Sequence, residues 1–287
     1  MRFARPTTLD ETIHILSDDD WTMIAGGTDF FPALGDRAVT TPLLDLSQVE
    51  ELKGIRDRGD HWTIGGLTTW TDVLNADYLP PAFDALRLAA REIGSVQVQN
   101  AGTVAGNLCN ASPAADGVPA LLILDAQVEL RSSSGTRQLS LDQFIVGNRR
   151  TQLDKSELLT SVIIPKSSTT GRSHFLKHGA RKYLVISIAM VAVQLVRSAK
   201  NRVATAAISV GACSAVARRL SDLETELEGR PWTRSIMELV EPRHIAFLSP
   251  INDVRGTGNY RLDVAEELIR RSLVSCIDSD RDTGVNK

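Results

Sequence analysis

From Thr8 onward the apolar residues fall at Leu9, Ile13 and Leu16, one face of a helix, and predict a helix over about 8–17. A β-prone run follows, "WTMIAGG" (21–27), and stops at a glycine doublet; "TTPLLDLSQV" (40–49) predicts another strand after Pro42. "LKGIRDRGDHWTIGGLTTW" (52–70) reads as two strands around a Gly59–Asp60 turn, then a helix from about Trp70 capped by Thr68 or Thr69. "PAFDALRLAAREIG" (81–94) has the spacing of an amphipathic helix closed by Gly94. From 118 to 165 helix and strand alternate again: "PALLILD", "AQVELRSS" with a Ser134–Gly135 turn, "GTRQLSLDQF" and "ELLTSVIIP". The polar segment "KSSTTGRS" (166–173) marks a domain boundary. Beyond it come strands ("HFLKHGARK", "YLVISIAMVAVQLV", "RVATAAISVGACSAVARRL") and then helices, the order of an α+β domain. An amphipathic helix is expected within 218–229, a last one over about 260–276, and a disordered tail from 278 to 287.

With 287 residues, 43% of them hydrophobic, the chain can bury a large core and form two domains. A net charge of −3 gives no reason to expect nucleic acid or an anionic membrane as partner. The N-terminus lacks the apolar run of a secretory signal, and "YLVISIAMVAVQLV" is too short for a bilayer and carries Ser187 and Gln194. A cytoplasmic protein is therefore expected. Cys109, Cys213 and Cys276 are odd in number and far apart, so neither a disulfide framework nor a zinc or iron–sulfur motif is expected from this chain.

The candidate chemistry lies in two stretches of small residues. The first is the doublet Gly26–Gly27 with Thr28 and Asp29; the second is "NAGTVAGNLCNASPAADGVPALL" (100–122). Successive backbone N–H groups with small side chains make concave anion nests. Thr28, Thr103 and Ser112 can add hydroxyl donors, Asn107 can donate and accept, and Asp116 can accept from sugar hydroxyls. Two such loops suit a ligand with two phosphates and a polar chain, a dinucleotide. The G-x-G-x-x-G fingerprint is absent, which disfavours a Rossmann fold.

"AGGTD", "IGGLTTW", "TVAGNLCNASPAAD" and "ELLTSVIIP", in this order, resemble the FAD-binding medium subunit of molybdenum hydroxylases, the xanthine dehydrogenase and carbon monoxide dehydrogenase family. "FLKHGARKYLVISIAMVAV" and "DVRGTGNYRLDVAEELIRRSL" are similar to that family's C-terminal domain, so the likeness covers nearly the whole chain. It implies an α+β fold: a two-subdomain FAD-binding domain of the vanillyl-alcohol-oxidase (PCMH) type over 1–168, with subdomains of about 1–56 and 57–168. A C-terminal α+β flavoprotein domain would occupy 169–287. Carried over by position, Ala25, Gly26, Gly27, Thr28 and Asp29 would form one pyrophosphate loop, and Thr103, Ala105, Gly106 and Asn107 the other. Ile93 would pack against the cofactor, Ser112 and Asp116 would hold the ribityl or phosphate region, Leu159 would lie by the flavin ring, and Lys177 would approach it from the C-terminal domain. The resemblance further implies non-covalent FAD, and electron transfer to it from 2Fe–2S clusters on a small partner subunit. A large partner would hold molybdopterin, in a heterotrimer or its dimer, and the acceptor would be NAD+, a quinone or oxygen. Two positions depart from the family: Ala105 stands for a glycine and Gln99 for an arginine, which predicts either a negative φ or modest strain at Ala105, and one lost charge-assisted contact.

Several of these residues also have plainer readings. Asp116 could cap a helix starting at Gly117, Asp29 could bond its own loop, and Cys109 reads as a small buried thiol. Lys177 reads alternatively as a solvated charge, and His174 and His178 as surface residues. Two other functions compete: a free-standing flavin oxidase of the vanillyl-alcohol-oxidase type, and a structural subunit without flavin. The oxidase would need its own acid or base and often a His or Cys flavin link, and no such set stands out.

Overall fold

The computed structural model describes residues 2–282. Its N-terminal part is a three-stranded parallel sheet, β1 (Phe3–Ala4), β2 (Thr22–Ile24) and β3 (Leu43–Asp45), in the order β1-β3-β2. Helix α1 (Leu9–Asp18) crosses between the first two strands. It starts where Thr8 Oγ1 accepts from the Glu11 N–H at 3.2 Å and the Glu11 carboxylate accepts from the Thr7 N–H at 2.8 Å. Its apolar face, Ile13 and Leu16, is buried in a small core with Leu44, Leu46, Val49 and Leu52. The short helix α2 (Phe30–Leu34) follows β2.

The next part is a five-stranded antiparallel sheet of β4 (Ile55–Asp57), β5 (His61–Gly65), β6 (Gln127–Ser132), β7 (Gly135–Ser140) and β10 (Leu158–Pro165). Its order is β4-β5-β10-β6-β7, so the last strand in sequence lies at the centre, paired with β5 on one side and β6 on the other. Helices α3 (Trp70–Leu74), α4 (Asp84–Glu92), α5 (Val96–Ala101), α6 (Val104–Asn110) and α7 (Gly117–Leu122) cover it; α8 (Leu141–Phe144) leads into the hairpin β8 (Ile145–Gly147) and β9 (Arg150–Thr151). Of the two threonines before α3, Thr69 is the cap: its Oγ1 accepts from the Asp72 N–H at 3.1 Å and Asp72 Oδ2 accepts from the Thr69 N–H at 2.8 Å. Thr68 instead donates to the Gly54 carbonyl.

The C-terminal part is the meander β11 (Arg172–His178), β12 (Ala189–Arg197), β13 (Val203–Gly211) and β14 (Arg218–Arg219), packed against α9 (Ser221–Leu227) and α10 (Gly258–Asp282). The apolar run around Met190 is the buried strand β12, as its β-branched composition predicts. Phe175, Met190, Ala192 and Ala212 belong to the same core as Trp70, Phe83 and Leu121, so this part shares apolar packing with the helices of the preceding one. The Ala85 N–H donates to Ser173 Oγ at 2.8 Å and the Ala212 N–H to the Pro113 carbonyl at 3.0 Å across the same junction.

Two expectations change here. Helix α10 continues to Asp282, through the first half of the expected disordered tail, with Asp278 paired to Arg234 at 2.7 Å; residues 283–287 lie outside the described residues. His174 and His178 are half-buried rather than surface residues: burial lowers the His174 pKa, and His178 Nε2 meets the Tyr260 hydroxyl at 2.9 Å.

The C-terminal part also has an acid-sensitive seam. The Arg255 N–H and the guanidiniums of Arg261 and Arg255 hold the Asp253 carboxyl at about 2, down from 3.8; Arg243 holds Glu226 at about 2, down from 4.5. A carboxyl depressed in the folded state stabilises the fold above its unfolded pKa and loses that contribution as pH falls through the folded value. The melting temperature should therefore stay level down to about pH 4.5 and drop between there and about pH 2. Thermal melts of the wild type and of Asp253→Asn check this. The variant should start lower at neutral pH and lose less on acidification; parallel curves would remove these two groups from the account.

Candidate functional site

A cleft of ≈ 700 Å³ separates the parallel sheet from the helices on the larger one, a volume in the range that holds a cofactor. One wall is the chain leaving the carboxyl end of β2, Ala25 to Asp29, where open parallel sheets place ligands, and α2 behind it. The opposite wall is Gly102, Thr103 and the α6 residues Ala105, Gly106, Asn107 and Asn110. Ile93 and Val98 close one side, and Leu52, Leu67, Leu158 and Leu159 form apolar lining from the remaining elements. Eleven of the residues expected from sequence thus meet on one surface although the chain separates them by up to 134 positions (25 to 159).

The glycine doublet has two distinct jobs. Gly27 has φ +66°, a left-handed conformation that costs glycine nothing. At Gly26 a Cβ would lie 1.8 Å from the Ala101 carbonyl oxygen and 2.4 Å from its carbon, so the missing side chain lets the first wall touch the end of α5. The collision that glycine avoids is with the protein's own backbone, and it sets the width of the cleft.

The second small-residue stretch is helical rather than a loop. Ser95 Oγ accepts from the Val98 N–H to start α5, and Thr103 Oγ1 accepts from the Gly106 N–H at 3.0 Å to start α6. The Thr103 hydroxyl keeps its own proton to donate elsewhere. Ala105 is an ordinary helical residue without positive φ, the first of its two expected alternatives, so no strain arises, and alanine suits this position better than glycine would. Gln99 does not face the cleft either. Its Nε2 donates to the carbonyls of Arg91 (3.2 Å) and Ile93 (3.1 Å), tying off the end of α4 and fixing Ile93, which does line it.

Ser112, Asp116 and Lys177 are not part of the cleft lining. Asp116 makes no side-chain cap for α7, contrary to its plainer reading. Its Oδ2 meets Lys177 Nζ at 2.6 Å and its Oδ1 accepts from Ser187 Oγ at 2.6 Å; both members of the ion pair are about 5% exposed, so Lys177 is not the solvated charge of its alternative reading. Burial raises the Asp116 pKa, and the Lys177 charge opposes that shift. The pair anchors the start of α7, where Gly117 abuts the Trp70 indole and Asn107, both in the cleft wall.

The titratable lining is Asp29, Arg37 and Cys109. Asp29 Oδ2 accepts from Arg149 at 2.9 Å, so it is not engaged in an Asx turn, and Arg37 donates to the Ala33 and Leu34 carbonyls. Burial pushes the Cys109 thiol up to about 12, which keeps it protonated and unreactive at neutral pH. None of the three is arranged as a general base or nucleophile. Asn107 lines the cleft, but its Oδ1, without a hydrogen-bond partner among the described residues, is buried against Gly117 of α7 and not open to the cavity. A ligand with phosphates and an apolar ring, held between a glycine turn, a threonine-capped helix start and the leucine lining, fits these residues, and FAD is such a ligand.

Residues 1–167 match the family described as FAD binding domain in molybdopterin dehydrogenase, and 174–275 match the CO dehydrogenase flavoprotein C-terminal domain. The chain belongs to the FAD-binding medium subunits of the molybdenum hydroxylases. It is 32% identical over 284 residues to the nicotinate dehydrogenase FAD-subunit of Eubacterium barkeri, and 30% identical over 277 residues to the nicotine 6-hydroxylase medium subunit of Paenarthrobacter nicotinovorans, with 96% of each chain covered in both cases. A chain of quinoline 2-oxidoreductase from Pseudomonas putida 86 superposes with a TM-score of 0.89 at 26% identity, covering 97% of both chains. The medium subunit is therefore an oxidoreductase component with an FAD-binding domain followed by the family's C-terminal domain, the fold expected from its motifs. Among the described residues no helix is long and apolar enough to cross a membrane, and no group of three His, Cys, Asp or Glu could hold a metal ion.

Proposed function

We propose that this chain is the electron-transfer subunit of a heteromeric molybdenum hydroxylase. It would bind one FAD non-covalently in the 700 Å³ cleft and dock with an iron–sulfur small subunit and a molybdopterin large subunit, as a heterotrimer or its dimer. The observation that carries this reading is the cleft itself: both small-residue segments face one cavity whose titratable side chains are all engaged or protonated. FAD, when bound, supplies a carrier that exchanges electrons singly or in pairs between partner 2Fe–2S clusters and an acceptor such as NAD+, a quinone or oxygen.

The chain's own residues bind, orient and exclude water. Ala25 to Asp29 and the start of α6 at Thr103, Ala105 and Gly106 offer backbone and hydroxyl donors to the diphosphate. Asn107 lines the wall beside them. Ile93 and Leu159 give apolar surface for the ring, and Asp116 with Lys177 braces α7 behind the wall. Ser112 would contribute from the turn before α7. On this reading 1–168 is the cofactor domain, divided near residue 56, and 169–287 the second domain.

The test is reconstitution. Acid precipitation of the purified chain should release FAD into the supernatant, and the isolated chain should fail to reduce a dye acceptor when any heterocycle or aldehyde is offered as electron donor. Adding both partner subunits should restore turnover. Substantial turnover by the isolated chain, or flavin retained in the pellet, would overturn the reading.

A further inference from the structure

Arg149 carried no motif in the sequence, yet it occupies a singular place at the mouth of the cleft. It sits in the turn between β8 and β9 with φ +52°, a left-handed backbone that costs a non-glycine residue energy and marks a position held by its surroundings. Its N–H donates to the Ala111 carbonyl at 2.8 Å, just past the end of α6. Its guanidinium Nη1 donates to Asp29 Oδ2 at 2.9 Å and also to Asn110 Oδ1. Asp29 ends the first wall and Asn110 ends the second. One side chain, fixed by its backbone, thus spans the opening.

The surrounding charges follow the same sense. Asp10 pairs with Arg131 at 2.7 Å and Asp20 with Lys155, so among the described residues three ion pairs join the N-terminal part to the part that follows it, and in each the acid comes from the N-terminal side. All three pairs are exposed, the acids Asp10, Asp20 and Asp29 at 87%, 68% and 52% and Arg149 itself at 57%, and as isolated ion pairs contribute little. Arg149 differs because it has three anchors and a restricted backbone.

We propose that Arg149 is a positioning residue for the cofactor: through Asp29 and Asn110 it ties the segment 25–29 to α6 across the mouth and slows the release of FAD. The proposal rests on the reading of the cleft as the FAD site. It acts on the wall and not on the reacting atoms, so its mark is a rate of cofactor exchange.

The full chain, alone or in its complex, is loaded with FAD, and flavin release is followed by fluorescence recovery after dilution. Arg149→Asn keeps a residue that tolerates the left-handed backbone and removes the arm; it should release FAD about fivefold faster. Arg149→Lys retains the charge without the forked geometry and should recover part of the loss. Wild-type release should quicken as NaCl rises from about 0.05 to about 1 M, where screening falls to about 3 Å, while Arg149→Asn should respond less. A purely structural residue would lower the melting temperature without changing that salt slope. Equal release rates for the wild type and both variants, or equal salt slopes, would overturn the proposal alone. A wild type that binds no FAD would overturn the reading of the cleft and this proposal with it.

Discussion

Gly26→Ala should weaken FAD binding by about tenfold to a hundredfold, from the addition of one methyl group that never touches the ligand. The methyl would sit 1.8 Å from the Ala101 carbonyl oxygen, 2.4 Å from its carbon and 3.0 Å from the Gly102 nitrogen. All three are backbone atoms, so no rotamer can yield. The Gly102 N–H is bonded to the Val98 carbonyl at 2.7 Å and its own carbonyl accepts from the Trp70 N–H, which ties that backbone to α5 and α3. The segment 25–29 must therefore lift away, and the two walls separate by something over an ångström. Overpacking of this kind costs about 1–3 kcal/mol in stability, and the donors on the two walls would no longer converge on one diphosphate. Gly35→Ala is the control: its φ of +58° adds a backbone penalty that Gly26, whose φ is not positive, does not carry, yet a Cβ there meets nothing within 4 Å. Titration of both folded variants with FAD decides the matter. Wild-type affinity in Gly26→Ala would mean that the contact with Ala101 does not set the cleft.

Asp116→Ala should destabilise the fold by about 3–5 kcal/mol, the scale on which a buried charge stripped of its partner acts. The loss leaves the Lys177 ammonium about 5% exposed, with the Glu92 carbonyl at 3.3 Å as its remaining contact, and leaves Ser187 without an acceptor for its hydroxyl. Pairing in this interior mainly offsets the cost of taking both charges out of water, so the pair itself need not be a large net gain. That asymmetry gives the test its second arm. The double variant Asp116→Leu with Lys177→Met should be more stable than either single replacement by alanine, because neither charge is then stranded. Denaturant melts measure both. A single variant as stable as the wild type would show that water reaches Lys177 in the folded protein.

The parts of this structure legible from sequence are those with a local cause. Helix α1 and helix α4 announce themselves by apolar spacing, the turn at Gly59 by its residues, and β12 by a β-branched run. The parts that were not legible depend on partners distant in the chain. Residues 103–107 read as a loop because alanine and glycine carry no apolar periodicity, while what makes them helical is the cap at Thr103. Asp116 looks like a cap because a helix does begin beside it, but its partner is 61 positions away. Gln99 looks like a missing arginine until its amide is seen to close α4, and Arg149 is one of several arginines until the hairpin turns it toward Asp29. Eleven of the fourteen expected site residues share the cleft because the glycine and threonine signals reflect backbone geometry, which is local.

The central position of β10 governs the order of events at synthesis. β5 is made about a hundred residues before its neighbour, with Gly65 facing Ser161 and His61 facing Pro165, and β6 waits for the same strand. Until residues 158–165 leave the ribosome, the hairpins β4–β5 and β6–β7 have no shared strand to join them, and the cleft lacks the wall at Leu158 and Leu159. Contacts this far apart in sequence are slow to form. With the cleft as the proposed FAD site, flavin capture would be a late event in the life of each nascent chain, and a ribosome stalled before β10 would hold a polypeptide with both glycine segments and an unfinished cleft.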